Sequence, residues 1–216
     1  MHRVRLAMFD CDGTLVDGQA NICRAMEVAF DRDGLPPPPR AVIRRIVGLS
    51  LAEAIAVLAP GADHHRLAAD YRTIFRAMRD DGRLDDEPLF DGVADAIEAI
   101  VASGWTLGVA TGKSDRGLAH VLARHGLAHR FATLQTADRH PSKPDPAMLL
   151  AGMAEAGAAA ENTVMIGDTS FDMAMAHAIG ARAVGVAWGY HDVAELIAAG
   201  ADVVAERAAD LPRLLA

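Results

Sequence analysis

Cysteine is scarce in this chain: Cys11 and Cys23 are the only two in 216 residues. Two thiols at that spacing make neither a disulfide framework nor a CxxC metal or redox site, and they point to a reducing compartment. Long apolar runs are absent as well. No stretch reaches the about 18 uncharged apolar residues of a membrane-spanning helix. The opening MHRVRLAMFDCDGT carries basic residues, but its apolar run stops at Asp10, too short for a signal peptide. The expected location is the cytoplasm. Basic charge is in deficit, with 21 Lys and Arg against 29 Asp and Glu and a net charge of −8. Nucleic acid needs a basic face, so it is not an expected partner. Small phosphorylated substrates stay compatible if local cations meet them. What is present is 51% hydrophobic and 23% charged residues, the composition of a soluble globular protein. The length suits one large domain or a domain with a small companion.

Short apolar runs alternate with helical patterns. The runs Val4–Phe9, Thr106–Ala110, Phe131–Gln135, Thr163–Ile166, Ala183–Val186 and Asp202–Val204 are too short for helices and read as buried strands. Helices are expected near Gly92–Ala102, Ser114–His125, Pro146–Ala156, Phe171–Ala178 and Val193–Ala199. The Ala-rich stretch Ala147–Ala160 reads as helix with a glycine interruption. This alternation predicts an α/β fold, a doubly wound, Rossmann-like parallel sheet with helices on both faces. Sites in such sheets form at the carboxyl ends of the strands. From Asp17 to Glu87 no strand is evident, only helical patterns near Ala20–Arg32, Ala41–Ile46, Leu51–Leu58 and His65–Arg79. The expected organisation is a core of residues 1–16 and 88–216 with a small α-helical cap, 17–87, inserted on two hinges.

The chemistry-bearing residues follow the predicted strands. The first strand runs into Asp10-Cys11-Asp12-Gly13-Thr14, the second into Thr111-Gly112-Lys113-Ser114, and the fourth into Gly167-Asp168-Thr169-Ser170-Phe171-Asp172. Lys143 sits in a proline-stiffened turn, Ser142–Pro146, opening a helix. Parallel neighbours would gather these loops at one sheet edge. Clustered carboxylates repel unless a cation joins them, and hard oxygen ligands with room for a phosphate oxygen suit Mg²⁺. One carboxylate can then attack phosphorus while a second protonates the leaving oxygen and activates water. In an extended turn Asp10 and Asp12 project the same way. Gly13 permits a tight turn that would face N–H groups to phosphate. Asp168 and Asp172, four apart at a helix start, share a face. Taken singly each residue also has a structural reading, as a helix cap, a dipole partner or a surface lysine. Two look-alikes fail on spacing. Gly108–Ser114 has three residues between its glycines where a nucleotide P-loop has four. Asp10–Gly13 opens like an EF-hand, but its twelfth position is Asn21 instead of Glu.

FDCDGTLVD (Phe9–Asp17), ATGK (Ala110–Lys113), SKPDP (Ser142–Pro146) and GDTSFD (Gly167–Asp172) resemble the four motifs of the haloacid dehalogenase superfamily, over nearly the whole chain. The resemblance implies a Mg²⁺-dependent phosphatase with Asp10 as nucleophile and Asp12 as general acid/base. It implies that Thr111 and Lys143 hold the phosphoryl group, with Gly13, Thr14 and Gly112 beside the substrate. Asp10, the backbone carbonyl of Asp12, and Asp168 would bind Mg²⁺, supported by Asp172. Departures sort the branches. Dehalogenating members replace the second aspartate, and phosphonate-cleaving members carry Ala there; Asp12 is present. Sugar-phosphate mutases carry His and Arg where this chain has Ile22 and Leu51. The remaining resemblance is to phosphoglycolate-phosphatase-like hydrolases. Gly18 stands where Ser is usual, and Gly112 where Asn is frequent.

Substrate choice is expected to lie in the cap, with Arg44, Arg45, Ser50, Arg72 and Arg76 as candidates for the cleft and Arg45 as the leading anion contact. His64 and His65 read as surface residues, and His177 and His191 as structural ones. The expected activity is a phosphomonoesterase on a small cytosolic metabolite, 2-phosphoglycolate first. Its rivals are an inorganic pyrophosphatase or sugar-phosphate phosphatase of the same branch, and, from another class, a phospho-accepting signalling domain or a silent binding protein. Oligomeric state is not legible.

Overall fold

The structure is a computed structural model that describes residues 3–216. Six strands form one parallel sheet: β1 Val4–Phe9, β2 Thr106–Thr111, β3 Phe131–Thr136, β4 Ala158–Gly167, β5 Arg182–Val186 and β6 Val203–Ala205. Their order is β3-β2-β1-β4-β5-β6. The sheet grows outward from β1 in one direction and then, from β4, in the other. That reversal opens a crevice at the carboxyl ends of β1 and β4.

The strand sequences explain the layers. In β1, Leu6, Ala7, Met8 and Phe9 are all buried, as a strand covered on both faces requires. Ala7 and Phe9 join Ile97, Ile100, Leu118 and Leu122 on one face. Leu6 and Met8 join Met148, Leu149, Met173 and Met175 on the other. The partners come from α5 (Val93–Ala102) and α6 (Asp115–Arg124) on the first face, and from α7 (Ala147–Ala156) and α8 (Ser170–His177) on the second. The Ala-rich stretch departs from expectation. The helix ends at Ala156, Gly157 takes φ 70, and the chain enters β4 at Ala158, which pairs with Val4. Alanine alone favours helix, so pairing to β1 overrides its propensity here.

Between β1 and α5 lie four helices: α1 Gln19–Arg32, α2 Arg40–Arg44, α3 Leu51–Leu58 and α4 His64–Asp80. They bury an apolar cluster of their own around Met26, Phe30, Ile43, Ile55 and Leu67. The two connections to the core run side by side. Asp17 N–H donates to the Pro88 carbonyl and Phe90 N–H to that of Leu15, at 2.9 and 3.0 Å. Asn21, fully buried, ties α1 to the returning segment: its amide donates to the Asp85 carbonyl at 2.9 Å and accepts from Asp85 N–H at 2.8 Å. No helix among the described residues is long and apolar enough to cross a membrane.

Candidate active site

Asp10 follows the last residue of β1, and Asp168 the last of β4, its neighbour in the sheet. Adjacent parallel strands therefore deliver two carboxylates to one crevice. Asp172 arrives from the first turn of α8, where it forms a capping box with Thr169: it accepts from Thr169 N–H at 3.1 Å and Oγ1 at 2.6 Å, and its N–H points back to Thr169. Asp10, Asp168 and Asp172 each offer an oxygen, and those oxygens lie within 4.8 Å of one another.

Lys143 is wholly buried among them. Its Nζ lies 2.9 Å from Asp10 Oδ1 and 2.7 Å from Asp172 Oδ1. Asp10 Oδ1 also accepts the Cys11 N–H at 2.6 Å. Asp10 Oδ2 is buried and has no hydrogen-bond partner among the described residues. Asp168 is held from both sides, by Thr14 Oγ1 on Oδ1 and by the Tyr190 N–H on Oδ2, each at 2.9 Å.

Asp12 meets a cation that sequence reasoning left without a role. Lys113 Nζ lies 2.9 Å from Asp12 Oδ1, an ion pair not aligned as a hydrogen bond. The signal was in the sequence: Lys113 follows the second strand in the same loop as Thr111. Thr111 itself is buried, and its Oγ1 accepts the Lys113 N–H at 3.2 Å.

Burial and crowding govern the charges. Burial raises the proton affinity of Asp10; Lys143 opposes it and Asp172 adds to it. Burial, then Asp10 and Asp172, push Asp168 well above the carboxylate range. Burial raises Asp12 too, against the pull of Lys113. Burial alone would lower Lys143, but Asp10 and Asp172 carry it above its ordinary value. Lys113 follows the same pattern beside Asp12.

A cavity of about 460 Å³ opens over Asp10, Asp12, Thr111, Gly112 and Lys113. The helical block roofs it. The carbonyls of Gly48 and Leu49 sit so close to Gly112 that a Cβ there would collide with both. Ser50 N–H reaches across to Ser142 Oγ at 2.8 Å. Ser50, Arg72 and Arg76 line this cavity, as do Tyr71 and Phe75, which sequence reasoning did not single out.

Of the expected substrate contacts, Gly13 and Thr14 lie against Asp168 and Arg45 lies outside the cavity. Gly13 spends its N–H on the Val16 carbonyl at 2.9 Å; its φ of 86 and missing Cβ make room for the Asp168 carboxylate. Thr14 gives its hydroxyl to Asp168, so it orients that carboxylate. Arg45 is not in the cleft at all. Its guanidinium pairs with Glu195 of α9 (Val193–Ala198), and with Arg44 it borders a separate cavity beside Trp188 and Tyr190. The carboxylate of Glu195 competes for the arginine, and nothing in the α2 pattern announced it. Gly18 has a use of its own: a Cβ there would lie 2.6 Å from Asp12 Oδ1.

The chain matches the description of the haloacid dehalogenase-like hydrolases over residues 7–186. It is 36% identical to "Probable phosphatase IndB" of Dickeya dadantii over 209 residues, 93% of this chain and 89% of that protein. It is 29% identical to "Phosphoglycolate phosphatase 1" of Pseudomonas aeruginosa over 192 residues, 87% of this chain and 71% of that one. The crystal structure of a hydrolase from Pseudomonas syringae superposes with a TM-score of 0.84 at 26% identity, covering 99% of this chain and 98% of that one. The doubly wound sheet, the aspartate crevice and the family match together define a hydrolase with an α/β core. The chain belongs to the haloacid dehalogenase-like hydrolases.

The site fits a divalent cation on its own terms. Three buried carboxylates converge with a single lysine between them, and Asp10 Oδ2 is an orphaned acceptor. An all-oxygen donor set of this kind suits Mg²⁺.

Proposed function

We propose that this chain is a Mg²⁺-dependent phosphomonoesterase that hydrolyses a small phosphorylated metabolite in the cytoplasm through an aspartyl-phosphate on Asp10. The observation that carries the reading is Asp10 Oδ2, buried, unpartnered and beside the cavity while its twin oxygen is fixed by Lys143. Asp10, Asp168 and the Asp12 carbonyl would hold Mg²⁺, with Asp172 in support. The bound ion would neutralise charge on the phosphoryl oxygens and the surrounding carboxylates.

The residues divide the work. Asp10 Oδ2 attacks phosphorus, the bond to the leaving oxygen breaks, and that oxygen takes the bond pair and a proton from Asp12. Burial raises the proton affinity of Asp12, and Lys113 holds the carboxylate left when the proton is given up. Asp12 then takes a proton from water, the water oxygen attacks phosphorus, and Asp10 and inorganic phosphate are released. Lys143 fixes Asp10 and offsets phosphoryl charge; the Thr111 hydroxyl stands beside the same cavity. Asp172 aligns Lys143, and Thr14 and Tyr190 align Asp168.

Residues 1–16 and 88–216 serve as the catalytic core and 17–87 as the cap, a division supported by the separate apolar clusters. The relatives' names make 2-phosphoglycolate the first substrate to assay, ahead of pyrophosphate and sugar phosphates. The test is phosphate release by the purified enzyme with Mg²⁺ and with excess EDTA. Turnover only with the metal supports the reading. Equal turnover in EDTA overturns it.

A further inference from the structure

We propose that the natural leaving group is a ring-sized apolar body bearing a second anion, seated against α4; this rests on the phosphomonoesterase reading above. Three features of the cavity support it. The first is size. About 460 Å³ lies in the range of roughly 300–1,000 Å³ that encloses drug-sized ligands. A phosphoryl group on a two-carbon acid leaves most of that space to water.

The second is the roof. Met26, Leu49, Tyr71 and Phe75 line the cavity from the helical block. The Tyr71 and Phe75 rings lie 5.8 Å apart at 31° and are half-buried. Partly open aromatic faces gain most by covering another apolar ring. The Tyr71 phenol stands near enough to the chemistry that Lys113 and Asp12 both act on its proton affinity, though burial is the main cause of its rise.

The third is unspent positive charge. Arg72 and Arg76 of α4, one turn apart, and Arg116 of α6 line the same cavity. Among the described residues these three make no salt bridge. A fourth lining arginine, Arg79, faces Asp80 at 3.8 Å. Arg24, Arg40, Arg45, Arg66 and Arg83, outside the cavity, each face a carboxylate. The aspartates at the cavity floor already have lysines, Lys143 for Asp10 and Lys113 for Asp12. Asp138, also in the lining, accepts the Asp115 N–H at 2.9 Å. In a chain of net charge −8, three uncommitted arginines at one cavity fit a carboxylate or second phosphate on the substrate.

The test compares four primary alkyl phosphates, so that the leaving oxygens are alike: 4-carboxybenzyl phosphate, benzyl phosphate, 2-phosphoglycolate and ethyl phosphate. The expected kcat/KM is highest for 4-carboxybenzyl phosphate, at least tenfold above both 2-phosphoglycolate and benzyl phosphate. Arg72→Ala with Arg76→Ala, both exposed and safe for folding, should shrink the carboxybenzyl-to-benzyl ratio at least fivefold. Phe75→Ala should shrink the benzyl-to-ethyl ratio. If 2-phosphoglycolate is the best of the four, or the four are equal, the inference is overturned and the phosphatase reading stands. If none is hydrolysed with Mg²⁺, the phosphatase reading itself fails.

Discussion

Asp10 has two oxygens in different situations, and the proposed nucleophilic role rests on that difference. Oδ1 is held by Lys143 and the Cys11 N–H; Oδ2 has no partner. Asp10→Asn replaces an anionic oxygen by an amide. We expect turnover to fall by at least about a thousandfold with no acid-stable phosphoenzyme after rapid quench. Label recovered on any other residue would refute the assignment. Thr14 gives a subtler prediction. Its hydroxyl fixes Asp168, and loss of such an orienting bond costs roughly 10–100-fold in metal affinity. Thr14→Val should therefore raise the Mg²⁺ concentration for half-maximal activity about tenfold while kcat at saturating Mg²⁺ stays within about threefold. A fall in kcat with unchanged Mg²⁺ dependence would instead make Thr14 a substrate contact. The sequence motif put Thr14 beside the substrate and did not show its bond to Asp168, because a contact spanning 154 positions exists only once β1 and β4 pair. The same holds for Lys113, whose tie to Asp12 joins two strand-end loops.

At the level of elements, the helical block is held against the core by polar contacts beside the cavity. Arg45 pairs with Glu195, and the His191 ring bridges the Ser170 N–H and the Arg45 carbonyl at 3.2 and 3.0 Å. The sequence placed Arg45 on the substrate; the structure makes it a tie between α2 and α9. Its loss should accordingly act on every substrate alike. An exposed ion pair contributes about 0.2–1 kcal/mol, so Arg45→Ala should change kcat/KM by no more than about fivefold, equally for p-nitrophenyl phosphate and the best substrate. Selective loss on an anionic substrate would return Arg45 to the binding site. His191 adds a pH direction. Burial lowers its proton affinity below the ordinary 6.5, ahead of smaller effects from Arg45 and Glu195. A base depressed in the folded state contributes stability above its unfolded value, and that contribution fades as pH falls through the folded one. The neutral ring accepts from Ser170 at Nδ1, and a proton there removes the acceptor. His191→Gln should flatten the loss of thermal stability between pH 7 and pH 5, measured by calorimetry; an unchanged slope would exclude the bridge as its source. Periodicity showed α1, α3 and α4 nearly to their ends, because each buries an apolar stripe. It missed the first residues of β4, where pairing to β1 overrides alanine's helix propensity.

On the scale of the whole molecule, the strand order sets where charge accumulates. Reversal between β1 and β4 forces Asp10 and Asp168 together at the one edge where a ligand can enter. That crowding was legible in the sequence, since Asp10 and Asp168 each followed a predicted strand; the size and lining of the roof were not, because they depend on how Gly48 and Leu49 close over Gly112. The crowding also has a thermodynamic consequence. Burial raises Asp10, against Lys143 and with Asp172, and burial with Asp10 and Asp172 raises Asp168, both above the unfolded value of 3.8, with Asp10 pushed up to about 7. An acid raised in the folded state holds its proton there after the unfolded chain has released it. Its contribution is therefore complete below pH 3.8 and is lost as pH rises toward about 7. Mg²⁺ competes with those protons, so it restores most where they have gone. At a hundred times its dissociation constant, a ligand specific to the folded state adds about 2.7 kcal/mol. We expect the Mg²⁺-induced rise in Tm to be small at pH 5 and to widen to several degrees by pH 8. Asp168→Asn, which keeps the Thr14 and Tyr190 contacts in reach but removes a charge, should flatten that widening. A Mg²⁺ shift of equal size at both pH values would mean that the carboxylates are not where the metal binds.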